Sequence, residues 1–369
     1  MNLAEFRSLF PALERHVWLN TPTAPPAARP VIEALRRVER EWETGDFSWR
    51  AWEAEAYETR PLFAELIHGS PESIALVSSV SFAAATVAMS LPRGRVVVGG
   101  NEFRSNYFPW IALRDRGFDV VDVPANDDGI VPTETLAREI DDDTVLIAVS
   151  LVQSSNGFRV DLPLLVDAAR DHGTRVFVDV CQSLGALRFD ATTSGVDYAT
   201  THGYKWLLGP RGAAWLYVRP DRIDELRPLG PNWKTPEDPY ADYYGGPLEY
   251  PKAARKLDVS LVWFAWPGAR AALDLLRELD PQEVETRCLD LAATFREGAQ
   301  EQGFRVVPEE EPSHIVGVTV SEPEGLQERL NEHQVRAAVR GGFLRLGFHA
   351  FNNEDDVQTA LKALGSAPA

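Results

Sequence analysis

Four runs in this chain are apolar almost from end to end: "GRVVVGG" (94–100), "TVLIAVSLV" (144–152), "TRVFVDV" (174–180) and "AAWLYV" (213–218). A strand with one wet face alternates apolar and polar side chains, so runs without alternation belong to strands covered on both faces. Between them, "SPESIALVSSVSFAAATVAMSL" (70–91), "TETLAREI" (133–140) and "DLPLLVDAARDHG" (161–173) read as helices or helix starts, the last stopped by Gly173. Strands alternating with helices imply an α/β fold built on a mostly parallel, helix-covered sheet.

Residues 228–262 interrupt this rhythm, because "PLGPNWKTPEDPYADYYGGPLEYP" sustains no period. A segment of this kind is expected to be a functional loop or a crossing segment. Beyond it, "WFAWPGARAALDLLREL" (263–279) predicts a long amphipathic helix, and "HIVGVTV" and "GFLRLGF" predict short strands. The expected division is a large domain over 15–262 and a smaller α+β domain from 1–14 with 263–369.

Bulk charge narrows the partners. With 37 basic against 55 acidic residues the formal charge is −18, which disfavours nucleic acid and anionic membranes. Two cysteines, Cys181 and Cys288, cannot build a disulfide framework. His16, His68 and His172 show no metal-ligand spacing, so no metal is expected. No stretch of 18 apolar residues occurs, and the first 20 residues lack a secretory pattern. A cytoplasmic protein without membrane contact is expected.

Ligands of open parallel sheets bind beyond the carboxyl ends of the strands, so polar residues just past the apolar runs carry the functional reading. Asp179 ends one such run, and Gln182 follows it. In "THGYKWLLGPRG" (201–212) Lys205 stands between Tyr204 and Trp206. An amine packed against aromatic rings meets a desolvation penalty that favours its neutral, nucleophilic form. "SSVS" (78–81) offers hydroxyls and helix N–H groups to an anion, and "NEFRSNYFPW" (101–110) follows the first apolar run. Taken singly, Asp179 is a cap, Lys205 a solvated loop residue, and His202 and Tyr204 packing residues. Together they match the needs of pyridoxal phosphate: a lysine for its aldehyde, a carboxylate for its ring nitrogen, an anion site for its phosphate and an aromatic face for its ring. Lys205, Asp179, Ser81 and Phe103 supply these in turn.

The same residues carry a resemblance. "VWLNTPTAPPAARPVIEAL", "NEFRSNYFPW", "VDVCQSLG", "THGYKWLLGPRG" and "FLRLGFHAFNNEDDV" occur in the order of the motifs of the class V aminotransferase and cysteine desulfurase group of fold-type I pyridoxal-phosphate enzymes. The resemblance implies that Lys205 holds the cofactor and that Asp179 pairs with its ring nitrogen. It implies Gln182 and Ser154 at the phenolic oxygen, and Val80, Ser81, His202 and Tyr204 at the phosphate. Arg345, with Asn20, is implied to bind the substrate, the arginine taking its carboxylate. It further implies a homodimer, in which Ser260 reaches the partner's phosphate site.

Two departures matter. Phe103 stands where desulfurases carry a histidine, and a phenyl ring stacks but moves no proton. "QVRAAVR" and "GGFLRLGF" nearly abut, leaving no cysteine-bearing loop ahead of Arg345. The shortened, cysteine-free connection resembles the C–S lyases and epimerase-like members of the group, and the expectation is β-elimination from a cysteine S-conjugate. An aminotransferase, or a decarboxylating or deaminating enzyme, is the alternative, and a non-enzymatic binding module is disfavoured.

Overall fold

The computed structural model describes residues 1–320, 323–340 and 342–367. In chain order its strands are β1 (Val17–Trp18), β2 (Ile74–Val77), β3 (Arg95–Gly99), β4 (Asp119–Val123), β5 (Thr144–Ser150), β6 (Arg175–Asp179), β7 (Tyr198–His202), β8 (Ala214–Val218), β9 (Ile315–Thr319), β10 (Val335–Arg336), β11 (Ala338–Arg340) and β12 (Phe343–Gly347). Seven of them form the central sheet in the order β2-β8-β7-β6-β5-β3-β4. From β7 to β4 every pairing is parallel, and only β8 runs against its neighbours.

The unbroken apolar runs follow from this layout. Side chains alternate faces along a strand, and here each face has its own core. Val97, Ile147, Val149, Val176 and Val178 pack on one side. Val96, Val98, Leu146, Ala148 and Phe177 pack on the other. With both faces covered, neither set of positions admits an unpaired polar group.

Three strands of the central sheet have no counterpart in the sequence reading. The stretch 70–91 is not one helical unit: a short 3-10 turn leads into β2, and the helix Val80–Ser90 begins only after it. Ile74 to Val77 are all buried, paired antiparallel with β8, and Ser79 then caps the helix by accepting the Phe82 N–H at 3.2 Å. β4 mixes acids with valines at an exposed sheet edge. β7 is buried but rich in hydroxyls, and Thr200 Oγ1 satisfies itself by donating to the Trp215 carbonyl at 2.9 Å. The run 213–218, grouped with the parallel strands by composition, is the antiparallel β8.

The aperiodic segment 228–262 contains no α-helix or strand, only a 3-10 turn at Ala254–Leu257. It is nevertheless pinned. The Lys234 ammonium is buried against Glu53 and Tyr240, with the Trp233 ring centroid 3.7 Å away. Asp258 accepts the Leu76 N–H at 2.8 Å and pairs with Arg60 at 2.6 Å, locking the segment to β2.

Toward the C-terminus, β11-β12-β9 form an antiparallel sheet. Leu291 and Phe295 from the helix Pro281–Glu301 pack with Val316, Val318 and Leu344. β1 pairs in parallel with β10, bringing the N-terminal segment to this sheet's end of the chain. No helix among the described residues is long and apolar enough to cross a membrane.

Asp258 is 5% exposed, so removing it leaves Arg60 and the Leu76 N–H without their buried partner. Asp258→Ala is expected to cost about 3 kcal/mol of unfolding free energy, measured by denaturant titration at fixed cofactor occupancy. A cost within experimental error would show that the segment is held elsewhere.

Candidate active site

The sheet register builds one wall of the site. Ser150, Asp179 and Thr200 are direct partners across β5, β6 and β7, at the carboxyl ends of the first two. The chain leaves β7 through a tight turn in which Leu208 donates to the Lys205 carbonyl at 3.0 Å and Gly209 to the Gly203 carbonyl at 2.8 Å. Buried Leu208 holds φ at +59°, an uncommon conformation for a side-chain-bearing residue, which packing imposes at this turn. Gly212, at φ +115°, closes the turn where an L side chain would be strained.

These elements enclose a cavity of about 200 Å³. Lys205 and Asp179 both line it, as do the hydrogen-bonded pair Gln182 and Ser154. Val80 and Ser81, at the N-terminus of the helix Val80–Ser90, and His202 and Tyr204, at and beyond the end of β7, line it too. Phe103 also lines the cavity, with the Lys205 Nζ 5.7 Å from its ring centroid. Ser78 and Ser79, from the stretch read as an anion site, also line the cavity, as do Ser105, Ser150 and Arg211, which the sequence reading missed. The "GPRG" stretch held the signal for Arg211, since a cation beside an anion-binding helix end has an evident use.

Burial raises the pKa of the Asp179 carboxyl, while hydrogen bonding from Cys181, including its N–H at 2.8 Å, and the Lys205 charge pull it down. His202 is driven well below its ordinary value by burial first, then by the Lys205 and Arg211 charges, so its ring is neutral near pH 7. That ring stacks on Tyr204 at 3.8 Å, and its buried Nδ1 has no hydrogen-bond partner among the described residues. A buried nitrogen without a partner beside a helix N-terminus and two serine hydroxyls is suited to an anionic oxygen.

A polar chain runs from the cavity to its edge. Gln182 donates to Ser154 Oγ at 3.0 Å and to the Pro22 carbonyl at 3.0 Å, and accepts from Trp206 Nε1 at 2.8 Å. Arg345, which does not line the cavity, donates to the Ser154 carbonyl and to Thr23 Oγ1, the latter at 2.7 Å. Asn20 sits nearby in a bridge with Gly347, its buried Oδ1 without a hydrogen-bond partner among the described residues. Ser260 lies apart, exposed and 3.4 Å from Trp233 Nε1.

The lining fits pyridoxal phosphate in its chemistry: an amine, a carboxylate, a neutral imidazole, hydroxyls at a helix N-terminus and an aromatic ring. Comparisons with known proteins agree. The aminotransferase class-V family model matches residues 31–359. An uncharacterized aminotransferase of Bacillus subtilis is 28% identical over 371 residues, covering 98% of this chain and 97% of its own. A probable cysteine desulfurase of Methanothermobacter thermautotrophicus is 26% identical, covering 97% and 96%. Among solved structures, a cystine C–S lyase in complex with cysteine persulfide has the same fold, with a TM-score of 0.85 at 20% identity over 97% of this chain and 100% of that one. The molecule is thus a fold-type I enzyme that uses pyridoxal phosphate and acts on amino acids. More narrowly, the chain belongs to the class V aminotransferase family.

Both cysteines are buried, and burial raises each thiol well above its ordinary pKa. In the folded protein at pH 8, neither is expected to react with a maleimide within minutes, whereas both should after denaturation, as counted by mass spectrometry. Rapid labelling of Cys181 in the native state would show a more open site.

Proposed function

We propose that this enzyme is a C–S β-lyase that cleaves the Cβ–S bond of a cysteine S-conjugate. The carrying observation is the connection ahead of Arg345. β11 and β12 are antiparallel with residues 340 and 343 paired, so only two residues of sequence, neither a cysteine, stand between the strands. Neither buried thiol offers an alternative acceptor.

In this reading Lys205 carries the cofactor, and Asp179 holds the proton on its ring nitrogen. Val80, Ser81, His202 and Tyr204 receive the phosphate, Gln182 and Ser154 the phenolic oxygen, and Phe103 covers the ring. Bound pyridoxal phosphate supplies an electron sink that labilises the substituents on the substrate's Cα. Arg345 binds the substrate carboxylate as a planar fork, with Asn20 beside it. Lys205 Nζ takes the Cα proton. The electron pair left behind expels sulfur from Cβ as a thiolate, which is then protonated. Water completes the balance: conjugate plus water gives thiol, pyruvate and ammonia. Because Phe103 cannot move a proton, acid–base work falls on Lys205. The enzyme works in the cytoplasm as a homodimer in which Ser260 reaches the phosphate site of the partner subunit. Ser260's exposure in the single chain supports that reading.

Incubation with a panel of cysteine S-conjugates should yield pyruvate and thiol in equal amounts without an added keto acid. Turnover that instead requires a keto acid and produces its amino acid would replace the lyase with an aminotransferase. Carbon dioxide release without either would make it a decarboxylase. Lys205→Ala is expected to lose the visible absorbance of the bound cofactor and about 10²–10⁴-fold or more in turnover. Asp179→Asn should retain cofactor while turnover collapses, and near-normal turnover would reduce Asp179 to a strand-end cap.

A further inference from the structure

The mechanism leaves one buried acid unused. Glu102, next to Phe103, is 8% exposed, yet no cation pairs with it among the described residues. Both of its oxygens are occupied by donors. Oε1 accepts the Ser150 N–H at 2.7 Å and Gln153 Nε2 at 2.6 Å, and Oε2 accepts Ser150 Oγ at 2.5 Å and Asn106 Nδ2 at 2.9 Å. Burial lifts its pKa to about 7, against the pull of those four hydrogen bonds. A buried carboxylate without a counter-charge is a costly way to fill a core position, since an apolar side chain of similar volume would fill it without that penalty.

The positions of its partners show what the group achieves. Ser150 lines the cavity and stands opposite Asp179 in the sheet. Asn106 lies in the first turn of the helix Arg104–Ile111, whose N-cap is Phe103. Glu102 therefore ties the aromatic wall of the cavity to the wall that carries Asp179. Phe103 itself is 52% exposed, so packing within the chain does not fix its ring. Its backbone carbonyl accepts the Asn106 N–H at 2.7 Å, and Asn106 is the residue Glu102 holds.

We propose that Glu102 is a positioning residue, which clamps the turn bearing Phe103 to the end of β5 and so fixes the ring over the cofactor. This rests on the reading that Phe103 covers the cofactor ring. Glu102→Gln keeps the size but turns an amide N–H toward groups that are donors. The clamp should slacken without emptying the core.

The test is a double-mutant cycle on the affinity of the apoprotein for pyridoxal phosphate, with the circular dichroism of the bound chromophore as a second readout. Phe103→Leu and Glu102→Gln are each expected to weaken affinity by about tenfold, the order of an aromatic stacking contact. Both should diminish the induced dichroism, and the double variant should be no weaker than the weaker single. Two results overturn the proposal and can be told apart. If Phe103→Leu leaves affinity unchanged, the stacking reading fails and the proposal with it. If Phe103→Leu weakens binding but Glu102→Gln adds independently, or lowers only the melting temperature of the apoprotein, stacking stands and Glu102 is merely structural. Should Glu102→Gln not fold, Asn106→Ala severs the same clamp on its helix side and takes its place in the cycle.

Discussion

The burial of Asp179 is the constraint around which the site is arranged. A carboxylate at the end of a central parallel strand, 6% exposed, must be met by donors and opposite charge. Two features meet it: hydrogen bonding from Cys181 as the chain turns, and the positive charge of Lys205 from the turn after β7. Both depend on the register that sets β5, β6 and β7 side by side, since a slip of one residue would turn Asp179 into a packed core. The two apolar cores that cover the sheet fix that register. The chemistry of the site thus rests on the same valines and leucines that make the strands unreadable as amphipathic.

Lysine placement sharpens the picture. The chain has five lysines, Lys205, Lys234, Lys252, Lys256 and Lys362. Three of them are buried, Lys205, Lys234 and Lys256. Lys234 is closed in by Glu53, Tyr240 and the face of Trp233, which hold its charge in place and keep ligands away. Lys205 opens onto the cavity, with an exposed phenyl ring across from it. Equal burial therefore has opposite consequences: one ammonium anchors an aperiodic segment, and the other faces space that a ligand can enter.

Much of this was legible in the sequence because parallel strands and strand-end chemistry leave strong local marks. The runs at 94–100, 144–152 and 174–180 gave β3, β5 and β6, and the polar residues just beyond two of them line the cavity. β7 was invisible because its hydroxyls are satisfied inside the sheet, which no periodicity reveals. β2 was hidden inside a longer apolar stretch, where only the cap at Ser79 separates strand from helix. Glu102 escaped notice because its partners Ser150 and Gln153 are distant in sequence, and only the fold brings a lone acid to them. Arg345 was singled out in the sequence for the substrate carboxylate, but its links to Ser154 and Thr23 required coordinates.

The central claim is that, of the five lysines, Lys205 is the one that carries the cofactor. Reduction of the holoenzyme with borohydride fixes the cofactor to whichever amine holds it, and peptide mass mapping then reads the site. The structure predicts a single pyridoxyl adduct on the peptide containing Lys205. An adduct on Lys234, Lys252, Lys256 or Lys362 would contradict the arrangement described here.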